Sequence, residues 1–80
     1  MDEIELASTE DEERLAGLAA SLKRSYRNGD RAGAANAARM FLEILLDNGW
    51  KYKGKRPNSA RERDEFLVEG VRHVLSGLDH

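Results

Sequence analysis

Aromatic and cationic side chains alternate in one short segment of the chain, Trp50-Lys51-Tyr52-Lys53, and four more cations follow: Lys55, Arg56, Arg61 and Arg63. Aromatic rings can stack on bases while cations neutralise phosphates, which is how proteins bind single-stranded nucleic acid with little sequence preference. The same cations can steer an acidic protein surface. Residues 50–63 are therefore a candidate binding segment for either partner.

A structural explanation of the same segment stays open. Trp50 can fold back onto the helical core, and the cations can then be ordinary solvated side chains. Phe66 raises a related question, because it lies among polar neighbours on the predicted third helix. Either Trp50 or Tyr52 of the loop packs on the Phe66 ring, or a partner covers it.

Residues for catalysis or metal binding are sparse. His73 follows Glu69 by four residues, so both lie on one helical face, but local spacing gives no third or fourth ligand, and the chain contains no cysteine. The carboxylates of residues 10–13 are explained by a helix start. There is neither a serine elbow nor a glycine-rich phosphate loop. We therefore expect a non-enzymatic protein with no metal and no cofactor.

Length and composition favour a single soluble domain spanning residues 1–80. The chain has 80 residues, a net charge of −2 and no cysteine. It contains no apolar run long enough for a membrane span, and its N-terminus is acidic rather than basic. We expect a cytoplasmic protein with no membrane association, in which the acidic residues 1–7 are loosely ordered.

Charge is unevenly distributed along the chain. Residues 1–13 carry seven acids and no base, whereas residues 49–63 carry six bases and one acid, Glu62. We expect opposite electrostatic fields at the two ends of the molecule, suited to head-to-tail association or to two different partners. The alternative is an ordinary solvated surface.

Three amphipathic segments with clear start and stop signals predict helices over residues 9–27, 31–47 and 59–76. Thr9 with Glu12 forms a capping box, Asn28-Gly29-Asp30 ends one helix and caps the next, and Asn58 or Ser59 begins the third. The short first connection requires an antiparallel pair. The expected fold is all-α, a compact three-helix bundle with a helix 1–helix 2 hairpin and a basic and aromatic loop before helix 3.

The second helix is apolar around about two-thirds of its circumference, so it should be the most buried. We expect Ala38, Phe41 and Leu45 in the core. The third helix presents a wide apolar stripe: Leu67, Val68, Val71, Val74, Leu75 and Leu78. Gly70 inside it predicts a close contact, because glycine costs about 1 kcal/mol in a helix.

The apolar arc of the second helix can exceed what its two neighbours cover. Met40, Leu42 and Leu46 are accordingly candidates for self-association, including a homodimer. Two hypotheses follow. The first is a non-enzymatic protein-interaction module, a small regulator or inhibitor of a bacterial or phage system, that binds another protein or itself. The alternative is a nucleic-acid-binding module that uses residues 50–63.

Overall fold

The computed structural model describes residues 9–79, which form an all-α three-helix bundle. The helices are α1 (Thr9–Arg27), α2 (Arg31–Asp47) and α3 (Ala60–Leu78). The predicted fold class is confirmed, and so are the bounds of α1 and α2. The prediction for residues 1–7 falls outside the described residues.

The connection between α1 and α2 follows the predicted stop and restart. Gly29 adopts a left-handed φ of 76°, which glycine accepts without a Cβ clash. The Asp30 carboxylate then accepts a hydrogen bond of 2.9 Å from the Gly33 amide and so caps α2. The turn needs only a few residues, so α1 and α2 pack as antiparallel neighbours.

The start of α3 is also fixed by side chains near its first turn. Ser59 Oγ accepts a hydrogen bond from the Glu62 amide, and the Glu62 carboxylate accepts one from the Asn58 amide. Gly77, however, does not end the helix as expected. Gly77 has no positive φ, and the Asp79 amide still donates to the Leu75 carbonyl at 3.1 Å. The helix therefore continues to Leu78.

The central helix of the bundle is α2, which packs against both α1 and α3. Within residues 9–79, no close backbone contact joins α1 to α3. Ion pairs show the antiparallel order of α2 and α3: Arg63 at the start of α3 lies 3.1 Å from Asp47, and Arg31 at the start of α2 lies 3.4 Å from Asp79.

Burial follows the predicted pattern only in part. Ala38 is 1% exposed, as predicted, whereas Phe41 and Leu45 are only half-buried. Leu42 is 5% exposed, because its Cδ1 packs where Gly70 has no side chain; a methyl group on Gly70 would lie 2.7 Å from that atom. The close contact predicted for Gly70 is thereby confirmed.

Candidate interaction surfaces

The aromatic side chains of the loop between α2 and α3 pack on the chain itself. The rings of Trp50 and Tyr52 are 5.8 Å apart at 65°, and those of Tyr52 and Phe66 are 5.6 Å apart at 42°. Such tilted geometries are the favourable ones for aromatic pairs. The loop therefore covers Phe66, which confirms the first of the two explanations for that residue.

Trp50 is anchored at both its backbone and its ring. Its amide donates a 2.9 Å hydrogen bond to the Leu45 carbonyl near the end of α2. Its ring reaches Gly70, where a methyl group would lie 3.7 Å from Cη2. The half-buried ring thus lies at the contact between α2 and α3, beside Leu42.

A tight turn at Lys53-Gly54 reverses the loop. Tyr52 and Lys55 exchange two backbone hydrogen bonds, of 2.9 and 3.0 Å, and both central residues have positive φ, 50° at Lys53 and 77° at Gly54. Positive φ at both positions defines a type I′ turn, in which asparagine or glycine normally precedes the final glycine. The lysine is therefore unexpected there. Its ammonium lies 5.4 Å from the centroid of the Tyr52 ring.

The cations of residues 50–63 divide into two groups. Arg61 and Arg63 lie on α3 and form ion pairs within the chain, with Glu65 at 3.5 Å and with Asp47 at 3.1 Å. The cations of the loop are exposed and have no ion pair of 4.0 Å or less with a described residue: Lys51, Lys53, Lys55 and Arg56. The Arg56 guanidinium lies over Gly49, whose Cβ, if present, would be 3.2 Å from Nη2. It thus faces the negative end of the α2 dipole.

The N-terminal acids that the structure describes, those of residues 10–13, do not lie at the opposite end of the molecule from the basic segment, as the expectation of opposite fields required. Asn48 at the end of α2 donates a 3.2 Å hydrogen bond to Asp11 in the first turn of α1, and Asp47 pairs with Arg63 in the first turn of α3. Because α1 and α3 both run antiparallel to α2, their starts lie at the same end of the bundle. The acidic residues 10–13 and the first residues of the basic segment therefore share one end.

A second surface is the side of α2 that faces away from the core. We call it the outward face of α2 and define it by Asn36, Arg39, Met40 and Glu43. Arg39 lies 2.7 Å from Asp64 of α3 and 3.4 Å from Glu43. The hydrogen bond with Asp64 is the main cause that raises the pKa of Arg39, so this side chain is a fixed cation on the face.

Two shallow apolar grooves flank the outward face of α2. The first lies against α1 and includes Leu18, Met40 and Ile44; the second lies against α3 and includes Ala35, Val68 and Val71. Met40 is 47% exposed and Val68 is 46% exposed, the two exposed large hydrophobic residues within residues 9–79. Asn36 joins the grooves, because it lines the second one and its Nδ2 contacts Met40 Sδ at 3.9 Å.

Val68 is the one residue of the apolar stripe of α3 that is exposed; the others are buried or half-buried. A stripe as wide as this one needs neighbours on more than one side, and among the described helices only α2 packs on α3. Val68 lies at the edge of the stripe on the helical wheel, and this position in the sequence pattern could have indicated that it is exposed.

The three residues proposed for self-association have different surroundings. Leu42 is buried in the core and packs against Gly70, so it has almost no surface accessible to a partner. Leu46 is half-buried and lines a groove at the end of α2 together with Trp50 and Arg56. Met40 alone of the three has a largely exposed side chain.

His73 and Glu69 line a shallow groove on α3 beside Tyr52 and Lys53. Within residues 9–79, no three histidine, aspartate or glutamate side chains converge as metal ligands. None of the helices in the same range is both long enough and apolar enough to span a membrane.

Comparison with known proteins gives no match among protein-family models, curated proteins or solved structures.

Proposed function

We propose that this chain is a non-enzymatic protein-interaction module and that it binds its partner through the outward face of α2 and the two apolar grooves beside it. The observation that supports this is the exposure of Met40 and Val68, which line two grooves that are joined by Asn36. Exposed apolar patches with a polar surround are typical of protein-binding sites. The biological class that we propose is the one expected from the sequence, a cytoplasmic regulator or inhibitor.

The nucleic-acid alternative has weaker support. Four exposed loop cations favour it, but stacking needs free aromatic faces, and the rings of Trp50, Tyr52 and Phe66 contact one another. The acids of residues 10–13 also lie at the end of the bundle where the basic segment begins, so they would repel a phosphate backbone that approached there.

Site-specific photo-crosslinking in the source cells tests the proposal. A photoreactive amino acid replaces Met40, Val68, Lys55 or, as a control, Ala20, an exposed residue in a separate groove of α1 beside Lys23. We expect covalent protein adducts from positions 40 and 68 and none from position 20.

Two results would overturn the proposed function. One is nucleic-acid adducts from position 55 with no protein adducts from positions 40 and 68. The other is the same adducts from all four positions, which would mean that the outward face of α2 has no special role. Binding of labelled single-stranded nucleic acid at two salt concentrations gives an independent check, because phosphate binding weakens steeply with salt whereas an apolar interface hardly changes.

A further inference from the structure

The outward face of α2 presents a row of side chains along the helix. Asn36, Met40 and Glu43 follow one another at intervals of four and three residues, so they lie on one side of α2. Met40 is the apolar residue of this row. Met40 lies near the middle of the row, where a facing helix would cover it first.

The charges on this face are ordered along α2 so that they complement a reversed copy of themselves. Arg39 is cationic, and Glu43 follows it one turn later as an anion. In an antiparallel pair of α2 helices centred on residue 41, Arg39 of each copy lies opposite Glu43 of the other. A parallel pair would instead place like charges opposite each other, which is unfavourable.

The same arrangement brings the two Met40 side chains together. An α-helix rises about 1.5 Å per residue, so each Met40 lies about 1.5 Å from the two-fold axis and the pair is offset by about 3 Å along the helices. Residues within one helix that are related by such an axis form an isologous contact, the commonest type in homodimers. The apolar centre is then flanked by two copies of the same Arg39–Glu43 pair.

The composition of the core gives an independent reason for association. Among the described residues, the buried hydrophobic side chains larger than alanine are Leu15, Leu42 and Leu67. A small domain with few large buried side chains gains much of its stability when further apolar surface is covered. The two grooves beside the outward face of α2 supply such surface.

We infer that the partner of the outward face of α2 is a second copy of this chain, paired antiparallel about a two-fold axis near residue 41. This inference rests on the proposed function, since it names the protein that the same surface binds. Its polar specificity comes from Arg39 of each copy facing Glu43 of the other, and its apolar contact comes from Met40.

Charge reversal tests the pairing in trans. The molar mass of the wild type is measured by sedimentation from micromolar to millimolar concentrations and should rise from monomer to dimer. Arg39→Glu and Glu43→Arg should each remain monomeric over the same range, and Met40→Asp should do so without altering either charge of the pair. Lys23→Glu, on the far side of α1, is the matched control and should dimerise as the wild type does.

An equimolar mixture of the Arg39→Glu and Glu43→Arg variants is the decisive sample. In a mixed pair, one copy carries anions and the other carries cations at positions 39 and 43. Each anion then lies opposite a cation, so association should return, as heterodimers. An effect confined to one chain cannot be repaired by mixing. Circular dichroism of each variant confirms that its helices are intact before the mixture is measured.

Three results would overturn the inference: a wild type that is monomeric throughout the range, single charge reversals that still dimerise, or monomeric variants whose mixture stays monomeric. The proposed function is judged separately by the crosslinking experiment. Adducts from positions 40 and 68 that contain a different protein would retain the interaction module and reject the second copy as its partner.

Discussion

Replacing Gly70 by alanine gives a sharp test of the contact between α2 and α3. In an unobstructed helix interior the change stabilises by about 1 kcal/mol, because glycine has the larger conformational freedom to lose. Here the new methyl group would lie 2.7 Å from Leu42 Cδ1, well inside van der Waals contact. Leu42 is buried, so its side chain has little room to move away.

The magnitude follows from the two opposing effects. Overpacking of a well-packed core costs about 1–3 kcal/mol, so Gly70→Ala should lower the free energy of unfolding by about 0–2 kcal/mol, the difference of the two terms. The sign should reverse in a Leu42→Val background. Valine lacks the Cδ1 atom, and the position of the Leu42 Cγ is 3.8 Å from the added methyl group, an ordinary contact. In that background the substitution should stabilise by up to about 1 kcal/mol.

Urea unfolding followed by far-ultraviolet circular dichroism measures all four members of this double-mutant cycle, at a protein concentration where the chain is monomeric. Gly17→Ala is the matched control, because Gly17 lies inside α1 and no atom approaches its Cβ position within 4 Å. It should stabilise by about 1 kcal/mol. A tight contact between Gly70 and Leu42 is refuted if Gly70→Ala stabilises the wild type as much as Gly17→Ala does, or if Leu42→Val leaves the effect of Gly70→Ala unchanged.

Three further predictions concern the loop and the end of α3. Trp50→Ala should lower the free energy of unfolding by about 3 kcal/mol, the low end for a large aromatic side chain, because the ring is only half-buried. The fluorescence of the wild type should be blue-shifted and unaffected by single-stranded nucleic acid. A red-shifted, quenched emission would contradict the packed ring. Lys53→Asn should raise the free energy of unfolding by about 0.5–1 kcal/mol, since asparagine accepts a positive φ more readily. A lower free energy of unfolding, measured by the same urea titration, would mean that the contact of Lys53 with Tyr52 stabilises more than the positive φ costs. The hydrogen bond to Asp79 raises the pKa of Tyr26. The stabilising effect of this bond is therefore complete below the ordinary tyrosine pKa of about 10 and is lost as the pH rises through the higher folded-state pKa. Asp79→Asn should move the ultraviolet titration of Tyr26 towards the ordinary pKa, measured with Tyr52→Phe as background, and an unchanged titration would argue against this bond.

Helix bounds were predictable from the sequence because the signals that set them are local. The Gly29 turn, the Asp30 cap and the Ser59 cap each depend on residues within about one turn of the helix end. The end of α3 was less predictable. Gly77 resembles a stop signal, but α3 continues past it to Leu78, and the side chains of Tyr26 and Arg31 hold Asp79 from outside the helix.

Depth of burial was less predictable, because it depends on where the neighbouring helices lie. Helical periodicity assigned Phe41 and Leu45 to the core and left Leu42 as surplus, whereas Leu42 is the more buried residue. The indication was present in another helix: Gly70 offers a position without a side chain, and Leu42 fills it. Only the pairing of α2 with α3 connects the two residues.

The positions of the acidic and basic residues relative to each other were likewise not predictable from their order in the chain. Residues 10–13 and residues 49–63 are far apart in sequence, and their separation suggested opposite ends of the molecule. Between the two start points the chain passes along two antiparallel helices, α1 and α2, and this even number brings the starts of α1 and α3 to the same end, as the contacts of Asp11 with Asn48 and of Asp47 with Arg63 require. Sequence separation alone carries no information on that parity.

The covered loop side and the exposed side of the bundle both follow from the width of the apolar stripe of α3. The stripe of α3 is wider than α2 can cover, and Phe66 and Val68 lie on its opposite flanks, about 160° apart on the helix. On the Phe66 side the loop supplies Tyr52 and Trp50 as a cover. On the Val68 side no described residue does so, and the exposed Met40 lies across the same face. The loop aromatics thus cover the Phe66 flank of α3, and the surface that we propose for a partner lies on the flank that no described residue covers.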